Sequence, residues 1–107
     1  MNVSLESFPN APSDWDIETA EAIAKEEGIE MTQDHWELIR ALQEYYSKVE
    51  FANLRQIKDA LDEKFHAKGG MKYLYQIMPG GPVAEGCRLA GLKVPAGAID
   101  KSFGSAA

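Results

Sequence analysis

The chain has 107 residues, of which 45% are hydrophobic and 26% are charged, and this is typical of one soluble globular domain. Its net charge of −6 is unevenly distributed. Residues 1–54 contain twelve acids and three bases, whereas residues 55–107 contain five acids and eight bases. The acidic half disfavours binding to nucleic acid or to an anionic membrane surface. The basic half suits an acidic partner or a small anion, and ordinary solvated helix faces are the alternative.

A single cysteine excludes an intramolecular disulfide, so no oxidised framework is expected. The first fifteen residues lack the basic and apolar regions of a signal peptide, and no apolar run reaches the roughly 20 residues that span a bilayer. We therefore predict a cytoplasmic protein. We predict neither a cofactor nor a metal site, because His35, His66 and Cys87 are far apart in the sequence and follow no ligand-spacing motif.

The N-terminal part begins with a lead-in over residues 1–12, which we predict to be extended or loosely ordered. Pro9 and Pro12 oppose helix formation there. The first helix is predicted to start at a Ser13 cap and to bury a stripe of isoleucine and alanine side chains. Gly28 is predicted to end that helix, since glycine favours the backbone conformation that follows a last turn.

Two longer helices are predicted next. The second begins at Thr32, whose hydroxyl can cap its first turn. Its apolar residues recur every three or four positions and predict one buried face, made of Trp36, Ile39, Leu42, Tyr46 and Val49. The third helix is predicted from about Ala52 to His66, followed by a break at residues 67–70.

The remaining stretch has the densest glycine and proline content and contains the cysteine. A short helix is predicted around Met71–Met78, and after a Pro-Gly-Gly-Pro turn a last helix runs from Pro82 to a stop at Gly91. Residues 92–107 are predicted to form a flexible C-terminal arm. The predicted fold is therefore one mainly α domain over residues 1–107, a small bundle of about five helices.

Cys87 is the candidate nucleophile on the last predicted helix. Arg88 beside it and the nearby helix start favour a lowered thiol pKa, which would suit a nucleophile or a persulfide carrier. The alternative is a small apolar filler, because free cysteine is among the most buried residue types. The residues alone leave both interpretations open.

The order KYLYQIMPGGPVAEGCRLAGLKVPAG over residues 72–97 resembles the C-terminal block of the sulfur-relay family that includes TusE and DsrC, the gamma subunit of dissimilatory sulfite reductase. The run AEAIAKEEGIEMTQDHWELIRALQEYY over residues 20–46 is similar to that family's first two helices. Family members have up to two cysteines near the C-terminus, one penultimate and one eleven positions earlier. The penultimate cysteine accepts sulfur as a persulfide in TusE-like members, in a relay leading to thiolated tRNA, and DsrC-like members use both during sulfite reduction.

The resemblance places Cys87 at the inner cysteine position and Ala98 at the outer one, after which the chain continues for residues 99–107. Because alanine has no sulfur, position 98 can form neither a persulfide nor a bridge to Cys87. The resemblance implies sulfur trafficking, or its regulation by partner docking, with Cys87 as the only possible sulfur-carrying thiol. The family's N-terminal β-hairpin is expected to be reduced or absent.

Arg88, Lys93 and Arg55 are candidate binding residues that would stabilise a sulfur anion or dock a donor, and Arg55 matches a basic position of the family. The expected partners are sulfur-metabolism proteins of the sulfurtransferase or sulfite reductase type. At most, a relay carrier is implied, since no independent catalytic site is seen. The alternatives are a non-catalytic interaction protein in which Cys87 only packs and, disfavoured by three acids on the third helix, a helix-turn-helix DNA binder.

Overall fold

The computed structural model describes residues 5–49 and 52–95. Within these ranges there is no strand, and the chain forms two short 3₁₀ turns and five α-helices: α1 (Ile17–Glu27), α2 (Gln33–Lys48), α3 (Leu54–Lys64), α4 (Gly70–Ile77) and α5 (Pro82–Ala90). The predicted mainly α fold of about five helices is therefore confirmed. The predicted arm beyond Pro95, including position 98, lies outside the described residues.

Most helix ends follow the local capping signals. Helix α1 ends at Gly28 with φ +74°, and α5 ends at Gly91 with φ +76°, both in the left-handed region that glycine adopts without strain. Thr32 occupies the cap position before α2, and Pro82 begins α5, where the missing N–H of proline costs nothing. These four predicted positions are confirmed.

Helices α1 and α3 begin later than predicted. The α1 cap is Asp16, whose carboxylate accepts the Thr19 N–H at 2.8 Å, and not Ser13. The reason is a turn in which the Trp15 N–H donates to Pro12 O at 3.1 Å, so that the helix starts only after the Trp15 ring has entered the core. Helix α3 is also shorter at both ends than predicted, and residues 66–68 form a separate 3₁₀ turn.

The lead-in is better ordered than the sequence indicated. Leu5–Ser7 form a 3₁₀ turn, and Phe8 is buried. The Phe8 ring meets Trp15 edge-on with a centroid distance of 5.1 Å, and it meets Trp36 with a centroid distance of 5.9 Å. Such edge-to-face pairs add to the burial of apolar area. The expectation of a loosely ordered lead-in is therefore wrong for the described residues of this segment.

Helix α5 lies at the centre of the fold and packs against the four other helices. Seven of its nine residues are buried, namely Pro82, Val83, Ala84, Gly86, Cys87, Leu89 and Ala90. Gly86 allows the close approach of α2, because a Cβ atom at this position would lie 2.6 Å from Cδ1 of Leu42. A side chain there would need the buried Leu42 to move.

Two long-range side chains bind the C-terminal carbonyl groups of α5. The Trp15 indole N–H donates to Leu89 O at 2.6 Å, and the Gln43 amide donates to Ala90 O at 3.0 Å. The last carbonyls of a helix lack partners within the helix, so these bonds satisfy groups that would otherwise be buried and unpaired. They fix the end of α5 relative to α1 and α2.

The two left-handed glycines provide a matched pair of substitutions. Gly28→Ala is expected to lower the free energy of unfolding by about 1 kcal/mol, the cost of a left-handed backbone in alanine, because its Cβ would meet nothing within 4 Å. Gly91→Ala is expected to cost about 2 kcal/mol, because its Cβ would also lie 2.9 Å from Trp15 Cδ1. Urea unfolding monitored by tryptophan fluorescence measures both, and equal losses would contradict the predicted contact with Trp15.

Candidate functional site

The Cys87 thiol is buried within the domain. Cys87 is the sixth residue of the nine in α5, so it lies beyond the first turn, where the helix dipole favours an anion. Its exposed fraction is 0%. Burial raises the pKa of the thiol, and a hydrogen bond with Tyr46 lowers that pKa by a smaller amount. The expectation that the helix start lowers the thiol pKa is therefore wrong, and the resting thiol is protonated at neutral pH.

Tyr46 of α2 covers the sulfur atom on one side. Its hydroxyl oxygen lies 3.6 Å from Cys87 Sγ and 2.6 Å from the carbonyl oxygen of Lys93. Because a carbonyl has no proton, the Tyr46 hydroxyl is the donor to Lys93. The same hydroxyl oxygen can then accept only from the thiol S–H. Burial and the contact with Cys87 raise the pKa of the Tyr46 phenol, which stays protonated.

Gln43 lies one helical turn before Tyr46 on α2, and it is buried. Its amide nitrogen donates to Ala90 O, one turn after Cys87 on α5. Its other amide atom, Oε1, is buried and has no hydrogen-bond partner among the described residues. The contact between α2 and α5 near Cys87 therefore includes the Gln43–Ala90 hydrogen bond and the Tyr46 hydroxyl.

The three predicted cationic residues do not converge on the sulfur. Arg88 is directed to α1, where its guanidinium contacts the Glu27 carboxylate at 3.0 Å. Lys93 has an exposed side chain, and it is its backbone carbonyl that reaches the site through Tyr46. Arg55 lies exposed in the first turn of α3, with no ion pair in the described part of the chain. Of these three residues, only Lys93 is linked to Cys87, and the link is its backbone carbonyl, through the Tyr46 hydroxyl.

Sequence reasoning missed Tyr46 and Gln43 as site residues. Tyr46 was expected only as a member of the apolar face of the second helix. Its hydroxyl on an otherwise apolar stripe was the available signal, because a buried hydroxyl requires a partner. That partner, the Lys93 carbonyl, is 47 positions away in the sequence, and no local pattern indicates it.

A groove of about 400 Å³ lies between α2 and α3, away from the thiol. Leu42, Ile57 and Leu61 are among its apolar lining residues, and charged residues of both signs also line it. Neither Cys87 nor Tyr46 lines this groove. This groove is therefore not a small-molecule pocket for the sulfur atom.

Residues 5–49 and 52–95 contain neither a cluster suited to a metal ion nor a helix suited to a membrane. No three or more His, Cys, Asp or Glu side chains come together there in a way that could hold a metal ion. In the same ranges, no helix combines the length and the apolar character needed to cross a bilayer.

Comparison with known proteins identifies the family of this chain. The family model described as DsrC-like protein matches residues 1–99. The sulfurtransferase TusE of Salmonella paratyphi A is 34% identical over 97 residues, which cover 89% of this chain and 89% of that protein. The sulfurtransferase TusE of Photorhabdus laumondii is 36% identical over 97 residues, with coverage of 89% and 87%.

A solved structure agrees with the sequence comparisons. The NMR structure of Allochromatium vinosum DsrC is 36% identical, with a TM-score of 0.67, and the match covers 88% of this chain and 86% of that one. The chain therefore belongs to the DsrC-like family. The family resemblance drawn from residues 72–97 and 20–46 is confirmed.

Proposed function

We propose that this protein acts in sulfur trafficking and that Cys87 is the thiol that accepts sulfur. The proposal is supported above all by the match to the DsrC-like family over residues 1–99, with relatives named sulfurtransferase TusE. Cys87 is the single cysteine of the chain, so any persulfide must form on it. The proposed partners are sulfur-metabolism proteins, and the proposed location is the cytoplasm.

The transfer step requires a donor that bears a persulfide, which we write R–S–SH. The Cys87 thiolate attacks the outer sulfur of the donor, a new S–S bond forms on Cys87, and the S–S bond of the donor breaks. The donor leaves as a thiolate and takes up the proton that Cys87 released. The products are Cys87–S–SH and R–SH, and no external oxidant or reductant is consumed.

Burial sets the condition for this step. A thiol with 0% exposure cannot meet a donor until some of the groups that cover it move. The half-buried Tyr46 ring is one of these groups, and its hydroxyl is bonded to the Lys93 carbonyl. We propose that docking of the donor displaces the backbone at Lys93 while Tyr46 stays beside the sulfur, with the cationic side chains of Lys93 and Arg55, both exposed, and of Arg88 as docking residues.

The test is sulfur loading of the intact chain. After incubation with a persulfidated sulfurtransferase, the intact mass is expected to increase by one sulfur atom, whereas Cys87→Ser is expected to gain none. An unfolded sample of the same chain treated with polysulfide measures the intrinsic reactivity of the thiol. Loading of the unfolded but not of the folded chain, even with a sulfurtransferase present, would contradict the carrier role.

A second candidate function is a non-catalytic docking protein of the same pathway class. Complete burial and the raised pKa of Cys87 favour it, because both describe an inert structural cysteine. In that case Cys87→Ser would leave binding to a sulfur-transfer protein unchanged, and the folded chain would not gain sulfur. Sulfur loading of the folded chain, compared with that of the unfolded chain, therefore distinguishes the two candidate functions.

A further inference from the structure

The Tyr46 hydroxyl lies between the Cys87 sulfur and the start of the C-terminal segment. Tyr46 donates to Lys93 O at 2.6 Å, and its oxygen is 3.6 Å from Cys87 Sγ. Leu92 and Val94, on either side of Lys93, pack against the core. The Tyr46 hydroxyl therefore contacts both the sulfur and the Lys93 carbonyl, and we name residues 92–95 the arm start.

The Lys93 carbonyl and the Cys87 sulfur compete for the Tyr46 hydroxyl proton only when the sulfur is charged. A neutral thiol can donate its S–H to the Tyr46 oxygen, so Tyr46 keeps its bond to the Lys93 carbonyl. A thiolate or a persulfide anion has no proton to give and needs a donor, because an unpaired buried charge is costly. An anionic acceptor binds a donor more strongly than a neutral carbonyl does. The Tyr46 proton is then expected to turn towards the sulfur.

We propose that Tyr46 couples the arm start to the thiol, so that release of the Lys93 carbonyl and ionisation of Cys87 favour each other. The inference rests on the proposed function and adds its regulation. A donor that displaces the arm start frees the Tyr46 hydroxyl to bind the sulfur, and the thiol becomes nucleophilic only when a partner is docked. Reciprocity of linked equilibria requires the converse as well, namely that an ionised or persulfidated sulfur loosens the arm start.

The other charged groups near Cys87 are either paired on the side of α1 or exposed to solvent. Arg88 is occupied by Glu27 of α1, and Glu85 of α5 lies on that same side, where burial and Glu27 raise its pKa. The Lys93 ammonium is exposed. Tyr45, the neighbour of Tyr46 on α2, binds Gln56 of α3 at 3.2 Å through its own hydroxyl. From α2, the titratable group that faces the sulfur at hydrogen-bond range is Tyr46.

Carbon-detected NMR of the full chain as a function of pH tests this coupling. The Cβ shift of Cys87 reports thiol ionisation, and the carbonyl carbon shift of Lys93 reports its hydrogen bond. In the unmodified protein both shifts are expected to change with one midpoint. In Tyr46→Phe the Cys87 midpoint is expected to rise by about one pH unit, since the thiolate loses a charged hydrogen bond, and Lys93 stops following it. Tyr45→Phe, the matched control, is expected to preserve the common midpoint.

A second measurement works near neutral pH and does not require the fold to survive alkali. Val94→Ala weakens the packing of the arm start and is expected to accelerate alkylation of Cys87 by iodoacetamide. The acceleration is expected to be several-fold smaller in the Tyr46→Phe background, where a released arm start has no hydroxyl to offer the sulfur. Equal acceleration in both backgrounds, or a Lys93 shift that ignores Cys87 ionisation in the unmodified protein, overturns the inference.

These outcomes are independent of sulfur loading. If Lys93 follows Cys87 but no sulfur is gained from a donor, the coupling stands and the carrier function fails. If the chain gains sulfur but Lys93 does not follow Cys87, the carrier function stands and the role of Tyr46 fails.

Discussion

Replacement of Trp15 by alanine is expected to lower the free energy of unfolding by about 3–5 kcal/mol, the usual cost of deleting a buried tryptophan. Trp15 is 4% exposed, packs against Phe8 and lies beneath Gly91. Its indole N–H also satisfies the buried Leu89 carbonyl. Because domains of this size are stable by about 5–15 kcal/mol, the variant is expected to unfold at a much lower urea concentration.

A pair of conservative substitutions separates packing from hydrogen bonding at this position. Trp15→Phe and Trp36→Phe remove the same atoms from two tryptophans that are both buried and both contact Phe8. Trp15→Phe leaves the buried Leu89 carbonyl without its donor, whereas the Trp36 indole makes no side-chain hydrogen bond within residues 5–49 and 52–95. The loss of stability in Trp15→Phe is therefore expected to exceed that in Trp36→Phe by about 1–3 kcal/mol. Urea midpoints and slopes measure both, and equal losses would show that the Leu89 bond contributes little.

Replacement of His35 by leucine is expected to cost about 2–4 kcal/mol, because the imidazole joins the start of α2 to the end of α4. Nδ1 accepts the Thr32 N–H at 3.0 Å, so this nitrogen has no proton and the tautomer is fixed. The proton is on Nε2, which donates to Ile77 O at 2.9 Å. Leucine fills similar space but leaves both groups unpaired, and Ile77 O has no partner farther along its helix.

Replacement of His35 by glutamine separates the contributions of its two hydrogen bonds. Its side-chain oxygen can accept the Thr32 N–H, as glutamine does at this position of a capping box, whereas the bond to Ile77 is lost. His35→Gln is therefore expected to retain about half of the stability that His35→Leu loses. Thermal unfolding followed by circular dichroism measures both variants. A stability of His35→Gln equal to that of the unmodified protein would argue against a contribution from the α4 bond.

The features that could be predicted from sequence are those that a few neighbouring residues determine. Gly28 and Gly91 end their helices because the required left-handed backbone is a property of a single residue. Thr32 and Pro82 mark helix starts for equally local reasons. The ordered motif around Cys87 likewise indicated the family, which the comparisons confirmed.

The features that could not be predicted depend on residues distant in sequence. Ser13 and Asp16 are both good caps, and the choice between them follows from where the Trp15 ring packs, 74 positions from its acceptor. The sequence places Arg88 beside Cys87, but its partner Glu27 is 61 positions away on another helix. Burial of the thiol has the same origin, because it results from the packing of α2 against α5 and not from the residues next to Cys87.

The hydrogen bonds that follow Cys87 are arranged in an order that has a mechanical consequence. Those at Leu89 and Ala90 are in the interior, whereas the one at Lys93 is at the surface. Tension applied to the chain beyond Pro95 would load the surface bond at Lys93 before the backbone bonds of Leu92 and Gly91 to α5, and only then the two interior bonds. A protein that grips this end could thus peel a few residues from the domain while the helix that holds the sulfur stays anchored.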